Sequence, residues 1–164
     1  MSDTPFFSEA NVRSPDYFVA RAQERCWYCG RSTSVLALAL PPHHETHEHS
    51  DIDSGVWQRA TGGALVFYVA DLPDEVQARI LGFSACFRLV RSPKTMTAYW
   101  ANHCEYCSGL LDDHELHCEP DGAFVPLGEA AARAIKFITI HEGFEAVAAG
   151  YALEPAFLSF LGTV

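Results

Sequence analysis

The sequence predicts an α+β fold: a mainly antiparallel sheet with one or two short helices packed on it. Three observations carry that expectation. Two short cysteine turns, Cys26-Trp27-Tyr28-Cys29-Gly30 and Cys104-Glu105-Tyr106-Cys107-Ser108-Gly109, each follow a stretch of β character. Apolar runs of strand length recur at residues 33–40 and 64–70, bounded by proline or glycine. Helical signals are confined to the stretches that follow Pro73 and Gly128.

Residues 1–15, with Pro5 and Pro15 among serine and aspartate, read as a loose N-terminal segment, which leaves 16–164 as a single domain. A chain of 164 residues is long enough to bury a sizeable core. Tyr17-Phe18-Val19-Ala20 starts a strand that runs through residues 21–25 into the first cysteine turn. The apolar run 33–40 leaves that turn and stops at Pro41-Pro42, a layout that suits a hairpin with the cysteines at its tip. Residues 41–63 form the longest irregular stretch. His43, His44, His47 and His49 lie there with Glu45, Glu48, Asp51 and Asp53. This density of imidazole and carboxylate could bind a divalent metal; the plainer reading is a solvated loop whose acids repel one another. Trp57 would anchor the end of that loop.

Gly62-Gly63 precede the second apolar strand. Asp71 is a candidate N-cap, Pro73 fits the first turn, and Asp74 and Glu75 suit the positive end of a helix dipole. Val76, Ile80, Phe83 and Phe87 fall on one helical face, with fraying expected near Cys86. Residues 87–90 read as a short strand and Ser92-Pro93-Lys94 as a turn. Residues 95–103 are β-rich and enter the second cysteine turn, as 17–25 enter the first. Asp112-Asp113 reads as a solvated turn and Asp121-Gly122 as another. Residues 129–136 form a short alanine-rich helix with Leu127, Ala131, Ala134, Ile135 and Ile138 at core spacing. Residues 137–140 and 144–151 are strands about Glu142-Gly143. The apolar end, with Phe157, Leu158, Phe160 and Leu161, needs a surface to dock on.

A Cys-x2-Cys turn aims two thiolates at one point, and a structural zinc ion takes four ligands in a tetrahedron. Cys26, Cys29, Cys104 and Cys107 therefore make one structural Zn²⁺ the expected cofactor, clamping two zinc-ribbon-like hairpins. Seventy-four residues lie between Cys29 and Cys104, so such a site joins distant parts of the chain. A redox pair within one turn, or plain buried thiols, are the alternatives. A zinc held by four cysteines has no open position for water and does not catalyse. A catalytic zinc would require a different ligand set, for which His117 and Cys118 are the spare candidates; otherwise both are core or half-buried residues. His103, beside Cys104, is a candidate donor to a thiolate, and Cys86 reads as core.

The chain carries 21 acidic and 11 basic residues, a formal net charge of −10, with Lys94 and Lys136 its two lysines. That balance repels phosphate and disfavours nucleic acid as a partner. Met1-Ser2-Asp3-Thr4-Pro5 lacks the basic and apolar regions of a signal peptide. No apolar run approaches the roughly 18 residues of a membrane span, so a cytoplasmic protein without a membrane partner is expected. Six cysteines in that setting read as metal ligands rather than disulfides. No nucleophile elbow, phosphate loop, dinucleotide fingerprint or His-Glu-x-x-His motif occurs.

Tyr99-Trp100-Ala101-Asn102-His103-Cys104-Glu105-Tyr106-Cys107, with Glu119-Pro120 and Gly122-Ala123-Phe124-Val125-Pro126, resembles a pattern in uncharacterised bacterial zinc-ribbon-like proteins. There an aromatic-Ala-Asn-His-Cys-x2-Cys-Gly knuckle precedes an Glu-Pro-x-Gly-x-Phe-x-Pro turn. Cys26-Trp27-Tyr28-Cys29-Gly30 resembles the first knuckle of that group, and the similarity spans roughly residues 17–150. This chain departs from it by placing Ser108 where glycine is usual. The resemblance implies zinc and a bacterial source and no particular activity. Two functions compete: a non-catalytic, zinc-stabilised protein-interaction or regulatory protein (an adaptor, immunity or effector protein), and a zinc-dependent hydrolase using the histidine-rich loop with His103, His114 or His117. A nucleic-acid-binding zinc ribbon is a third reading, which the charge opposes.

Overall fold

The computed structural model describes residues 10–47, 56–91 and 96–153. The turn expected at Ser92-Pro93-Lys94, the C-terminal apolar residues from Pro155, and His49 with its acidic neighbours lie outside them. Eleven strands and three short helices are described: β1 Val12–Ser14, β2 Tyr17–Arg25, β3 Ser32–Leu40, β4 Glu45–His47, β5 Trp57–Arg59, β6 Ala64–Asp71, α1 Asp74–Leu81, β7 Phe87–Arg91, β8 Ala98–His103, β9 Leu110–Leu111, α2 Asp113–His117, α3 Glu129–Arg133, β10 Lys136–Ile140 and β11 Phe144–Leu153. Every strand pairing is antiparallel. The expected α+β class, mainly antiparallel sheet with short helices, is what the chain adopts.

The strand order is β10-β2-β3-β6-β11-β1-β4-β5, with β8 branching from β6 and carrying β7 and β9. β6 is the fork. One of its edges pairs with β11 along nearly its whole length. The other edge pairs with β3 through Ala64–Val66 and then with β8 at Val69. Between the two partners the Tyr68 N–H would be stranded, and there the backbone turns to φ 51°. The Asp113 carboxylate accepts that N–H at 2.8 Å.

β3 explains why its sequence is continuously apolar. From Val35 to Leu40 every residue is buried, because the sheet is covered on both faces. Leu36, Leu38 and Leu40 join Val19, Val66 and the α1 residues Val76 and Ile80 in one cluster. Val35, Ala37 and Ala39 join Ala20, Leu65, Leu116, Phe124 and Ile135 in the other. Alanines on this second face leave room for α2, α3 and Phe124 to lie close to the sheet.

Several expectations need correction. Val12–Ser14, inside the segment expected to be loose, is a strand pairing with both β11 and β4, and Val12 is buried. The irregular stretch 41–63 contains the β4–β5 pair. His44, expected in a solvated loop, is fully buried, its ring bridging the Pro41 carbonyl and the Tyr151 hydroxyl at 2.7 Å each. Burial pulls its pKa below the ordinary histidine value, against the pull of the Pro41 carbonyl. Pro73, not Asp71, takes the N-cap of α1, and the helix stops at Leu81. Phe87 therefore lies on β7 instead of the helical face, and the half-buried Cys86 sits in the turn between them. Ala132 on α3 and Ile135 just beyond it are buried, while Leu127, Ala131 and Ala134 are exposed. β10 and β11 do not pair with each other: β10 runs beside β2 and β11 between β6 and β1.

Asp112 and Asp113 are buried, not solvated. Asp112 caps α2, accepting the His114 N–H, and also accepts the Tyr99 hydroxyl at 2.5 Å. Burial pushes the Asp113 carboxyl up to about 7, with the Tyr68 N–H acting in the opposite direction and Asp112 adding to the rise. Because this folded-state pKa lies above the unfolded value, the stabilisation it represents is complete below that unfolded value and disappears as pH rises through about 7. Asp113→Asn keeps an oxygen for the Tyr68 N–H and removes the titration. The variant is expected to gain stability relative to the parent as pH is raised from 6 to 8, measured by urea melts at each pH. A constant difference across that range would refute the assignment.

Candidate metal centre

Each cysteine turn is a six-residue connection closing an antiparallel hairpin. Arg25 pairs with Ser32 across Cys26–Arg31, and His103 with Leu110 across residues 104–109. The two turns share one hydrogen-bond pattern. The Cys26 N–H donates to the Arg31 carbonyl and the Gly30 N–H to the Cys26 carbonyl, at 2.8 and 3.0 Å. The Cys104 N–H donates to Gly109 and the Ser108 N–H to Cys104, at 2.9 and 3.0 Å. The turns end in the left-handed region, at Gly30 (φ 79°) and Ser108 (φ 62°). That conformation costs a side-chain-bearing residue about 1–2 kcal/mol. Ser108→Gly is therefore expected to stabilise the protein by about 0.5–1 kcal/mol, after the extra chain entropy of glycine is subtracted. An unchanged or lower denaturation midpoint would show that the Ser108 side chain earns its place another way.

The turn geometry aims the sulfurs inward. Cys26 Sγ accepts the N–H groups of Tyr28 and Cys29 at 3.3 and 3.5 Å, and Cys104 Sγ accepts that of Tyr106 at 3.3 Å. The Sγ atoms of Cys26, Cys29, Cys104 and Cys107 all lie within 4.8 Å of one another, a group that could hold a metal ion. Cys26 and Cys107 are 3.6 Å apart, Cys29 and Cys104 3.7 Å. In each turn the first cysteine is buried and the second exposed. Among the described residues, this is the place where three or more potential ligands converge. The electrostatics suit a cation. Burial opposes ionisation of Cys104, but the N–H groups of Tyr106 and Cys107 and the adjacent sulfurs bring it down to about 6. Cys107 is pushed up to about 11: the Gly109 N–H works against this, yet burial and the three other sulfurs prevail. Four thiolates this close need positive charge between them.

The hairpins are locked together around the sulfurs. Glu105, on the second turn, accepts the Ser34 N–H at 2.6 Å and the Thr33 hydroxyl at 3.1 Å, while its own N–H donates to Thr33 Oγ1. The buried Asn102 amide makes two bonds to Leu36, accepting its N–H at 2.8 Å and donating to its carbonyl at 2.9 Å. Asn102 thereby stands in for the backbone partner that β3 lacks beyond the fork. Tyr28 lies over Gly109 so closely that a Cβ there would sit 2.4 Å from its ring. Arg31 stacks 4.9 Å from the centre of the Tyr106 ring, crossing from one turn to the other.

The remaining candidates do not join this centre. His103 turns its Nδ1 to the Cys86 carbonyl at 3.1 Å and not to a thiolate. His117 is sandwiched between Phe67 and Phe124, ring centroids 4.5 and 5.0 Å away, and burial pulls its pKa down to about 3. Cys118, the C-cap of α2, is exposed, and His114 pairs with Glu119 at 2.9 Å. His43 lies at a positive φ of 77°, its N–H bonded to the Ala60 carbonyl. His47 packs tilted against Trp57, ring centroids 5.1 Å apart. Sequence reasoning passed over Asn102 and Thr33, whose signals are faint: an asparagine amid a strand pattern, and a threonine opening one. No protein-family model matches the chain, and no curated protein and no solved structure matches it.

Proposed function

We propose that this chain is a non-catalytic, zinc-stabilised bacterial protein that works in the cytoplasm by binding another protein, in the manner of an adaptor, immunity or effector protein. The observation that supports it is the closed set of four sulfurs. A tetrahedral zinc with Zn–S bonds of about 2.3 Å needs sulfurs about 3.8 Å apart; two of the six sulfur–sulfur distances, 3.6 and 3.7 Å, lie near that value, and all four sulfurs lie within 4.8 Å of one another. Zinc, which has no redox chemistry of its own and suits tetrahedral thiolate, fits this donor set. With four protein ligands no position is left for water or substrate, so the ion's contribution is to hold two hairpin tips rigidly in register. Rigid tips bearing aromatic side chains are suited to protein recognition. Among the described residues, no helix is long and apolar enough to cross a membrane.

The test is the metal content of the purified protein by elemental analysis, together with affinity capture and cross-linking from a bacterial lysate. One zinc per chain with a specific protein partner is the expected result. Two or more metal ions per chain, with hydrolytic activity that survives re-purification, would replace this reading with that of a metal-dependent hydrolase.

A further inference from the structure

The joined hairpin tips expose Trp27 (44 %), Tyr28 (68 %) and Tyr106 (56 %). Arg25 and Arg31 are exposed, and among the described residues neither has a carboxylate partner within ion-pair distance. Arg25 spends one N–H on the Gly30 carbonyl at 3.0 Å, and Arg31 lies over Tyr106. Glu105 is committed to Thr33 and Ser34. Glu24 is half-buried, and that burial raises its pKa, Asp121 adding to the rise while the Ala123 N–H and the Trp27 side chain oppose it. A chain with a net charge of −10 thus presents two uncommitted guanidinium groups beside three exposed aromatic rings.

Resting on the zinc-stabilised reading above, we propose that the joined tips form a docking site for an acidic segment of a partner protein. The guanidinium groups would take its carboxylates in the forked geometry that arginine favours. The rings of Trp27, Tyr28 and Tyr106 supply apolar contact at low entropic cost, since the turns already hold them. Charge complementarity selects the partner: Arg25 and Arg31 stand beside the three exposed rings, so the carboxylates of an acidic segment would meet cations and apolar contact together. A short acidic peptide suits two guanidinium groups better than single-stranded nucleic acid does. A polynucleotide carries a charge at every step and would run on over acidic surface.

The experiment uses the full, zinc-loaded chain and a fluorescently labelled, glutamate-rich peptide. Its controls are a peptide with glutamines in place of the glutamates and a labelled oligothymidylate. Anisotropy is measured at low salt. The acidic peptide is expected to bind, the glutamine peptide at least about tenfold more weakly, and R25E/R31E to lose affinity for the acidic peptide by about tenfold or more while retaining zinc and its circular dichroism spectrum. Trp27→Ala provides a second, charge-neutral variant with the same expected loss. Equal binding of both peptides, no binding of either, or tighter binding of the oligothymidylate would overturn the proposal. A protein partner still captured by zinc-loaded R25E/R31E would refute the tip site and leave the protein-binding reading standing.

Discussion

Cys104→Ser will lower the unfolding temperature by on the order of 10 °C or more and abolish stoichiometric zinc binding, whereas Cys86→Ser will leave zinc content unchanged. The magnitude follows from two scales. Structural zinc contributes an apparent binding free energy of about 10–16 kcal/mol in small zinc domains. A whole domain is stable by only about 5–15 kcal/mol. Losing even a quarter of the first is a large part of the second, and each kcal/mol is about 2–4 °C for a chain of this size. An ion bound by all four sulfurs would also close a long loop, since 74 residues separate the ligand pairs. Cys104 is the sharpest choice because it is buried at 1 % exposure and its sulfur sits in a cradle of backbone N–H groups. Cys86 lies in the α1–β7 turn and serves as the control. Calorimetry and elemental analysis of the two variants decide the matter; equal zinc loss in both would contradict the ligand assignment. Chelation of the parent protein should reproduce the destabilisation of Cys104→Ser without any mutation.

Asn102→Ala will destabilise the protein by about 2–6 kcal/mol, since it strands two buried backbone groups of Leu36 at about 1–3 kcal/mol each. Asn102 is 2 % exposed, so water cannot take its place without opening the sheet. The loss should extend to the metal. Asn102 lies two residues before Cys104 and fixes the second hairpin against the first, so zinc affinity should fall although every ligand remains. Asn102→Asp is the informative companion: it can still accept the Leu36 N–H but cannot donate to the Leu36 carbonyl, and it buries a charge. Urea melts and competition with a zinc chelator measure both effects. A variant with normal stability and normal zinc affinity would show that the amide is incidental.

What could be read in the chain depended on the range of the interaction involved. Cys26, Cys29, Cys104 and Cys107 were legible because two ligands, a turn and a following glycine are local, and two such units invite pairing across any distance. β3 and β6 were legible because burial on both faces leaves an unbroken apolar run. β1 was not, because Val12-Arg13-Ser14 is too short to show a period and owes its strand conformation to β11 and β4 on either side. Asp112 and Asp113 misled for a related reason. Adjacent acids normally seek water, and here one caps α2 while the other answers an N–H across the fork of β6. The α1 face overran its helix because Phe87 serves the same core from β7, and periodicity records the face without the element. Neither Asn102, quoted only within a motif, nor Asn11 was assigned a structural role from the sequence. Each asparagine amide replaces a strand partner, Asn11 at Ala148 beside the β11 bulge and Asn102 at Leu36, and nothing near them in sequence announces that a strand will lack a neighbour.

The fork of β6 sets an order of events in time. Each cysteine turn closes a short hairpin and can form quickly from local contacts. The four sulfurs meet only after β6 has gathered β3 on one stretch of its edge and β8 on the next, pairings between residues far apart in the chain. Contacts of that range are late and slow. Metal capture by the complete set of sulfurs is therefore expected after the rate-limiting barrier, where it would retard escape from the native state without hastening arrival. On the proposed zinc-stabilised reading, the metal would act as a latch on a door that the sheet has already shut, so the metal-free and metal-loaded chains should refold at similar rates and unfold at very different ones.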